Sequence, residues 1–277
     1  MKLKGLSAAI ALGCAVASGS ASAIVVGGVD FGTLGEDPTR SHLETATLAE
    51  TFINGDNQLL MGYGVVEKVN GDSSYASGNN LLYFTFEYTS QNFTGSTVEF
   101  TDGTVNVYYG DLGPGFNFFD QSSPANLGLI QGLTEWVQFE GHANLADPAA
   151  TPTAEIFADG TLTGASVSFT GQGLLDVVND GSFGLASVAN FLDSDGVLDG
   201  IGGLADVIIG TEGNNFVLNP NDIANGECAP GNQQVGEWCI QGTASLRGRT
   251  EVPAPAGIAL IGAGLLGFGA MTRRKKA

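Results

Sequence analysis

The clearest pattern along the chain is a strict alternation of apolar and polar side chains in residues 82–88, with the period of a half-buried β-strand. One face of this strand would carry Leu82, Phe84, Phe86 and Tyr88. Shorter strand-like runs are found at residues 61–68, 136–140, 161–170, 205–209 and 243–247, and residues 186–192 fit one or two helical turns. The pattern therefore predicts a fold built mainly from short strands.

A β-hairpin is predicted over residues 98–107, where two strand-like runs flank the pair Asp102-Gly103. Asp-Gly suits the two positive φ angles of a type I′ turn. Pairing across such a turn would place Phe100 beside Val105 on one buried face. Further turn signals occur at Asn70-Gly71, Asp159-Gly160 and Asp180-Gly181.

Composition agrees with this interpretation. The 277 residues include 42 glycines, and only 14% of them are charged, which favours many tight turns over long amphipathic helices. Residues 24–248 are long enough for one core. We therefore expect a single all-β domain, a β-sandwich or jelly-roll with short helical turns.

The first 23 residues have the organisation of a secretory signal peptide. Lys2 and Lys4 form the charged region, an apolar core follows, and Ala21-Ser22-Ala23 forms a small-residue cleavage site. The mature chain would begin at Ile24. Cys14 leaves a lipoprotein signal open as an alternative.

The last 29 residues have three parts. Residues 249–255 are a linker that ends in a short tag, residues 256–271 are uncharged and apolar, and residues 272–277 are a basic cytoplasmic stop. A helix of the 16 apolar residues would span about 24 Å, against roughly 30 Å of hydrocarbon, so it predicts a transient transmembrane segment. The tag is Val252, Pro253, Ala254 and Pro255, and the stop contains Arg273, Arg274, Lys275 and Lys276.

This order of tag, apolar segment and basic stop resembles the PEP-CTERM sorting signals of exosortase substrates. Ala254 stands where that family usually has Glu. The resemblance implies a Gram-negative exporter that also makes exopolysaccharide, with the general secretion machinery and an exosortase as partners. The protein would pass through the inner membrane and reach the cell surface or the exterior. A permanent single-pass anchor remains the alternative.

Two cysteines remain once the signal peptide is removed, Cys228 and Cys239. An even pair in an exported chain predicts a disulfide. Closing this short loop would stabilise the fold by roughly 3 kcal/mol. The nearest histidine is His142, so the pair does not predict a zinc site.

The formal charge of −19 understates the acidity of the exported part. Four of the ten basic residues and all 29 acidic residues lie between Ile24 and Val252, which gives that part a formal charge of −25. Such a surface argues against binding nucleic acid or anionic lipid head groups. It favours solubility or the binding of divalent cations.

The best candidate site is the acidic run at residues 193–200. Asp193, Asp195 and Asp199 lie around Gly196, and carboxylates spaced in this way can direct several oxygens at one calcium ion. Calcium is therefore the candidate cofactor. An ordinary acidic turn is the alternative interpretation.

No catalytic motif is found, so we expect a non-enzymatic structural or adhesive protein of the surface, exopolysaccharide or biofilm. One alternative is a carbohydrate-binding module, whose aromatic platform would be Tyr108, Tyr109, Phe116, Phe118, Phe119 and Trp136. A second alternative is a glycoside hydrolase, with Glu135 and Glu140 as its carboxylate pair.

Overall fold

The computed structural model describes residues 24–32, 40–223 and 228–249. Its strands are β1 (Val25–Val26), β2 (Val29–Asp30), β3 (Arg40–Glu50), β4 (Leu59–Val69), β5 (Leu81–Gln91), β6 (Thr97–Gly110), β7 (Thr134–His142), β8 (Ile156–Thr161), β9 (Ser168–Val177), β10 (Val197–Leu198), β11 (Leu204–Ala205), β12 (Val207–Asn214) and β13 (Ile240–Arg249). Its helices are α1 (Ser123–Gln131) and α2 (Ala186–Leu192), with a 3₁₀ turn at Phe118–Asp120. The expectation of an all-β class is confirmed.

The long strands form one antiparallel sheet that closes on itself. The order runs β12, β13, β3, β4, β5, β6, after which β7 and β8 share the next position. One end of β6 pairs with β8 and its other end with β7, and both of these strands pair with β9. β9 then pairs with β12 and closes a ring of eight positions. The strands therefore do not form the two facing sheets of the expected sandwich or jelly-roll.

The predicted hairpin at residues 98–107 is wrong, because Asp102 and Gly103 lie inside the single strand β6. A type I′ turn needs positive φ at both central residues, and here only Asp102 has it, at 53°. The positive φ of Asp102 lies at an irregularity in the pairing of β6 with β5. The alternation of side chains between the two faces of β6 shifts there, so Phe100 and Val105 both point into the core.

Other local predictions had mixed outcomes. Asn70 and Gly71 form a turn, with φ values of 50° and 83°, and α2 spans the helical stretch predicted from the sequence. Asp159-Gly160, however, lies inside β8. The strand predicted for residues 161–170 is also wrong, because residues 162–167 connect β8 to β9.

The alternation predicted for β5 is present, but both of its faces are covered. Leu82, Phe84 and Tyr88 point into the closed sheet. Tyr83, on the outer face, is only 5% exposed because α1 and neighbouring aromatic rings pack over it. The outer cluster consists of Ala49, Tyr63, Tyr83, Tyr108, Ile130 and Trp238. Period-2 alternation therefore located the strand but not the burial of its second face.

Two glycines of β4 make room for aromatic rings inside the sheet. A Cβ at Gly62 would clash with the ring of Phe86, and a Cβ at Gly64 would clash with the carbonyl of Ala46. The absence of side chains at these positions lets the large residues of β5 lie flat across the interior. The shape of the interior therefore depends on glycines that the hydrophobic pattern does not single out.

The two ends of the closed sheet are filled differently. At one end, Trp136 is fully buried beside Phe31, and its Nε1 donates to the carbonyl of Gly27 at 3.1 Å. At the other end, Phe52 and Val167 pack with the cysteines of the 228–239 segment. The described residues all fall within one compact unit, Ile24–Glu251.

Candidate functional site

The acidic loop after α2 is organised around Asp206. Its Oδ1 accepts hydrogen bonds from the backbone N–H groups of Ser194 at 2.6 Å and Asp195 at 2.7 Å. Its Oδ2 accepts one from the N–H of Val177 at 2.8 Å. The residue is buried, so its carboxylate holds the loop against the end of β9.

The chain returns to this point through the short hairpin of β10 and β11. α2 ends at Leu192, the loop turns through Asp195 with a positive φ of 47°, and the hairpin brings Asp206 back beneath it. Asp193, Asp195 and Asp206 then each place one carboxylate oxygen within 4.8 Å of the others. Burial raises the pKa of Asp206, with a further contribution from the charge of Asp193, although its backbone hydrogen bonds oppose the shift.

Asp199 belongs to a different group of side chains. Its Oδ2 lies 3.3 Å from Nε2 of His142, and its Oδ1 accepts from the N–H groups of Ile201 at 2.9 Å and Gly203 at 2.6 Å. The other ring nitrogen of His142, Nδ1, lies 2.8 Å from Oδ2 of Asp176. The imidazole is therefore held between two carboxylates.

These contacts set the charges of the group. Burial lowers the pKa of His142, but its hydrogen bonds and charge interactions with Asp176 and Asp199 outweigh burial and raise the pKa above its usual value. For Asp199, burial raises the pKa, while the backbone N–H groups and His142 more than compensate and lower it. The side chain of Asp199 is only 3% exposed, so this is an enclosed contact.

The structure therefore brings together two of the three predicted calcium ligands, Asp193 and Asp195, and adds Asp206 to them. Calcium takes six to eight oxygens, and both oxygens of Asp206 already accept backbone hydrogen bonds. Asp193 also accepts from Nδ2 of Asn179 at 2.9 Å. An ion here would depend mainly on Asp193, Asp195, backbone carbonyls and water.

Sequence reasoning missed Asp206 because it lies 11 residues beyond Asp195, outside the acidic run. The relevant signal is weak: a single acid at the junction of two strand-like segments, directly before the apolar run of β12. Only the pairing of β10 with β11 brings it back to the loop.

The proposed aromatic platform for sugar is wrong at its central residue. Trp136 is 0% exposed and lies in the core, and Tyr108 is buried in the outer cluster under α1. Of the same set, Phe119 is exposed. Glu135 and Glu140, the imagined hydrolase pair, are both exposed on β7. Trp136 and Tyr108 therefore stabilise the fold and are not available on the surface as a platform.

The pairing of Cys228 with Cys239 agrees with the sequence prediction. The two residues form a disulfide with a Cα–Cα distance of 5.1 Å, and both are buried. They pack against Phe52, Val167 and Ile240 at one end of the closed sheet. The bond therefore fastens the segment that covers this end.

The predicted targeting segments fall outside the described residues. These are the predicted signal peptide (1–23), the predicted tag (252–255), the apolar segment (256–271) and the predicted basic stop with Arg273, Arg274, Lys275 and Lys276. Within the described ranges, the structure contains no helix of the length and apolarity needed to cross a membrane. Comparisons with protein-family models, with curated proteins and with solved structures found no match to this chain.

Proposed function

We propose that the protein is exported and acts at the cell surface or in the extracellular matrix, in a structural or adhesive role. The observation that carries this proposal is the buried Cys228–Cys239 disulfide, which fastens one end of the closed sheet. Disulfides persist mainly in oxidising compartments outside the cytoplasm. A fold that uses one in its packing is suited to those compartments.

The charge of the domain supports the same location. Among the described residues, Lys68 forms an ion pair with Glu44, with Nζ and Oε2 3.1 Å apart, and acidic side chains elsewhere greatly outnumber basic ones. Net charge of this size keeps a protein soluble and repels nucleic acid and anionic lipids. These properties suit a matrix component that must not adhere to the cell's own polyanions.

A non-catalytic role is part of the proposal. Both ring nitrogens of His142 face carboxylates that also organise the fold, Asp176 on β9 and Asp199 in the 193–205 region. Both carboxylate oxygens of Asp206 likewise accept hydrogen bonds from backbone N–H groups. His142, Asp199 and Asp206, whose pKa values are shifted, thus hold loops and strands together. This use of the polar groups supports a structural role over hydrolysis.

The delivery route in this proposal follows from the sequence of the tail. The general secretion machinery would remove residues 1–23, the apolar segment 256–271 would hold the chain briefly in the inner membrane, and an exosortase would cut near Pro253 and Pro255. The basic residues 273–276 would remain on the cytoplasmic side. The released domain would then join the surface or an exopolysaccharide matrix.

The decisive experiment is an intact-mass measurement of the protein isolated from its host, combined with cell fractionation. We expect a chain that begins at Ile24, ends near the tag and has lost two hydrogens to the disulfide. A matched variant with Arg273, Arg274, Lys275 and Lys276 all changed to Gln should mislocalise, while its domain melts at an unchanged temperature. Recovery of the full-length chain from the cytosol with both thiols reduced would overturn the proposal.

The adhesive role needs its own measurement. A strain that lacks residues 250–277, and so keeps all of β13, should lose surface attachment or matrix cohesion although the secreted domain still folds. A normal phenotype in that strain would show that processing of the tail does not matter for function.

A further inference from the structure

A cavity of ≈ 100 Å³ lies inside the closed sheet. Its walls are almost entirely apolar and come from strands on opposite sides of the ring. They include Phe84, Phe86, Phe100, Val105, Ile156 and Ile209. Eight strands enclose an interior that is filled by side chains or has room for one small ligand. Here the side chains leave part of that interior open.

One acidic residue, Glu50, lines this cavity. It is the last residue of β3 and is 4% exposed. Its neighbour Ala49 belongs to the outer cluster, so Glu50 faces inward. Two glycines lie against it: a Cβ at Gly62 would be 3.0 Å from its Cγ, and a Cβ at Gly242 would be 3.2 Å from its Oε1. Within the described part of the chain, no side chain or backbone group forms a hydrogen bond or ion pair with its carboxyl.

Other polar residues in the cavity wall are satisfied by the fold. The hydroxyl of Thr45 donates to the carbonyl of Ala244 at 3.1 Å, and the hydroxyl of Thr51 donates to the carbonyl of Leu59 at 3.3 Å. Tyr88 also lines the cavity, and its hydroxyl has no hydrogen-bond partner among the described residues, but that oxygen is inaccessible to a water-sized molecule and so does not open into the cavity. The carboxyl of Glu50 is therefore the polar group that the described wall offers to an occupant.

An unpaired buried carboxyl is costly for the fold. Leaving a buried polar group without a hydrogen bond destabilises a fold, and the destabilisation is larger when the group is charged. Burial alone raises the pKa of Glu50 to about 8, so the group is mostly neutral near pH 7 and can both donate and accept a hydrogen bond. An apolar residue of similar size would make the interior more stable, so the acid is more readily explained by something that binds to it.

Water is a poorer occupant of this space than an organic molecule. A volume of this size would hold about three waters, and a buried water needs two to four polar partners. Glu50 cannot supply that many, because the rest of the described lining is apolar, already satisfied or, like the Tyr88 hydroxyl, inaccessible to water. An apolar body with one polar head matches the walls and the carboxyl together.

We propose that this cavity is a binding site for a small primary amine with an apolar body of about four carbon atoms, whose ammonium group pairs with the carboxyl of Glu50. An engineered apolar cavity of about 150 Å³ binds benzene. The space here is smaller, at ≈ 100 Å³, so the ligand is an aliphatic amine and not an aromatic one. The amine arrives as an ammonium ion. On its entry Glu50 releases its proton to the solvent, and an ammonium–carboxylate pair forms. The acidic exterior favours amines over acids, because it raises the local concentration of cations around the domain.

The geometry also indicates where the site is closed. Phe52, Val167 and Ile240 line the cavity and also pack around the Cys228–Cys239 disulfide. The segment fastened by the disulfide therefore covers the cavity at the end nearest Glu50. The same three residues thus contact both the proposed ligand site and the disulfide.

The test is calorimetric titration of the purified protein with n-propylamine and n-butylamine, with 1-chlorobutane as the probe of matched length that lacks the amine. We expect saturable binding of at least one amine and at least tenfold weaker binding to the variant Glu50→Gln. 1-Chlorobutane should bind equally to both proteins. Glu87→Gln removes an exposed acid from the outer face of β5 and should leave amine affinity within twofold, which controls for general attraction to the acidic surface.

A second variant keeps the test independent of Glu50. Ala158 is buried and lines the cavity, so Ala158→Leu should fill part of the space and abolish binding of the amines and of 1-chlorobutane, with folding checked by circular dichroism. Equal amine affinity in the parent and in Glu50→Gln would overturn the role of the carboxyl. Absence of binding by all three probes at millimolar concentration would overturn the site. Neither result depends on export or on processing of the tail.

Discussion

His142 and Asp199 are 57 residues apart in the chain, yet Nε2 of the imidazole lies 3.3 Å from Oδ2 of the carboxylate. The contact ties the end of β7 to the loop that follows β10. Asp176, at 2.8 Å from Nδ1, holds the other side of the ring. The protonated imidazole is thus stabilised from two directions.

This arrangement predicts a stability that depends on pH. Because the folded pKa of His142 is raised above its unfolded value of 6.5, its contribution is fully present below pH 6.5 and is lost as the pH rises through the folded pKa. His142→Gln should therefore lower the free energy of unfolding by roughly 1–2 kcal/mol at pH 5.5 and by clearly less at pH 9. Urea denaturation at both pH values measures this difference.

The matched control for this prediction is Asp180→Asn. Asp180 caps a turn through the N–H of Ser182 and is not among the residues that contact His142. Its substitution should produce the same small change at both pH values. If the loss caused by His142→Gln were independent of pH, charge pairing at the imidazole would not contribute.

For Glu50 we expect the stability of the fold to depend on pH in the opposite direction from that of an ordinary carboxylate. Its folded pKa of about 8 exceeds the unfolded value of 4.5, so the native state holds a proton that the unfolded chain releases, and stability falls as the pH rises from 4.5 to 8. Glu50→Gln should remove this loss and stabilise the protein by a few kcal/mol at pH 8, with little effect at pH 4. Thermal melts across this range check the prediction, and Glu87→Gln serves as the exposed control.

The disulfide should contribute substantially to stability. Changing both Cys228 and Cys239 to Ser is expected to lower the free energy of unfolding by about 3 kcal/mol, because the bond restricts the unfolded chain. Reductant should destabilise the parent by a similar amount and leave the double variant unchanged. An equal response of both proteins to reductant would mean that the thiols are not paired.

Calcium binding can be tested with two neighbouring aspartates that the structure separates. If the loop binds calcium, the melting temperature should rise with added calcium, and Asp195→Ala should abolish that rise. Asp199→Asn should preserve it, because Asp199 faces His142 and lies outside the Asp193, Asp195 and Asp206 cluster. A melting temperature unaffected by chelator would exclude the ion.

Local sequence patterns were reliable where neighbours in the chain set the conformation. The alternation in β5, the short helix α2 and the turn at Asn70-Gly71 depend on the period of side chains or on left-handed backbone preferences within a few residues. The cysteine pairing was also accessible, because residues 24–277 contain only two cysteines. In each case the deciding interaction is short-range or has a single possible partner.

The same kind of local preference was misleading at Asp102-Gly103. Asp102 does adopt a positive φ, but the chain continues as one strand, because β8 and β7 are available to pair with the two ends of β6. Gly103 is needed there because a Cβ would clash with the ring of Tyr88. A dipeptide indicates which backbone angles are accessible, whereas the partners of the strand decide between a turn and a bulge.

By itself, the sequence determined the all-β class, the disulfide pair, the acidity of the domain and the position of several elements. Only the tertiary structure decided that one sheet closes on itself, that Asp206 joins the acidic loop and that Glu50 faces an apolar cavity. The physical reason is that closure pairs strands distant in sequence, such as β9 with β12 and β13 with β3. Those pairings decide whether an acidic side chain faces water, an N–H group or an empty space. They cannot be read from the local pattern of side chains.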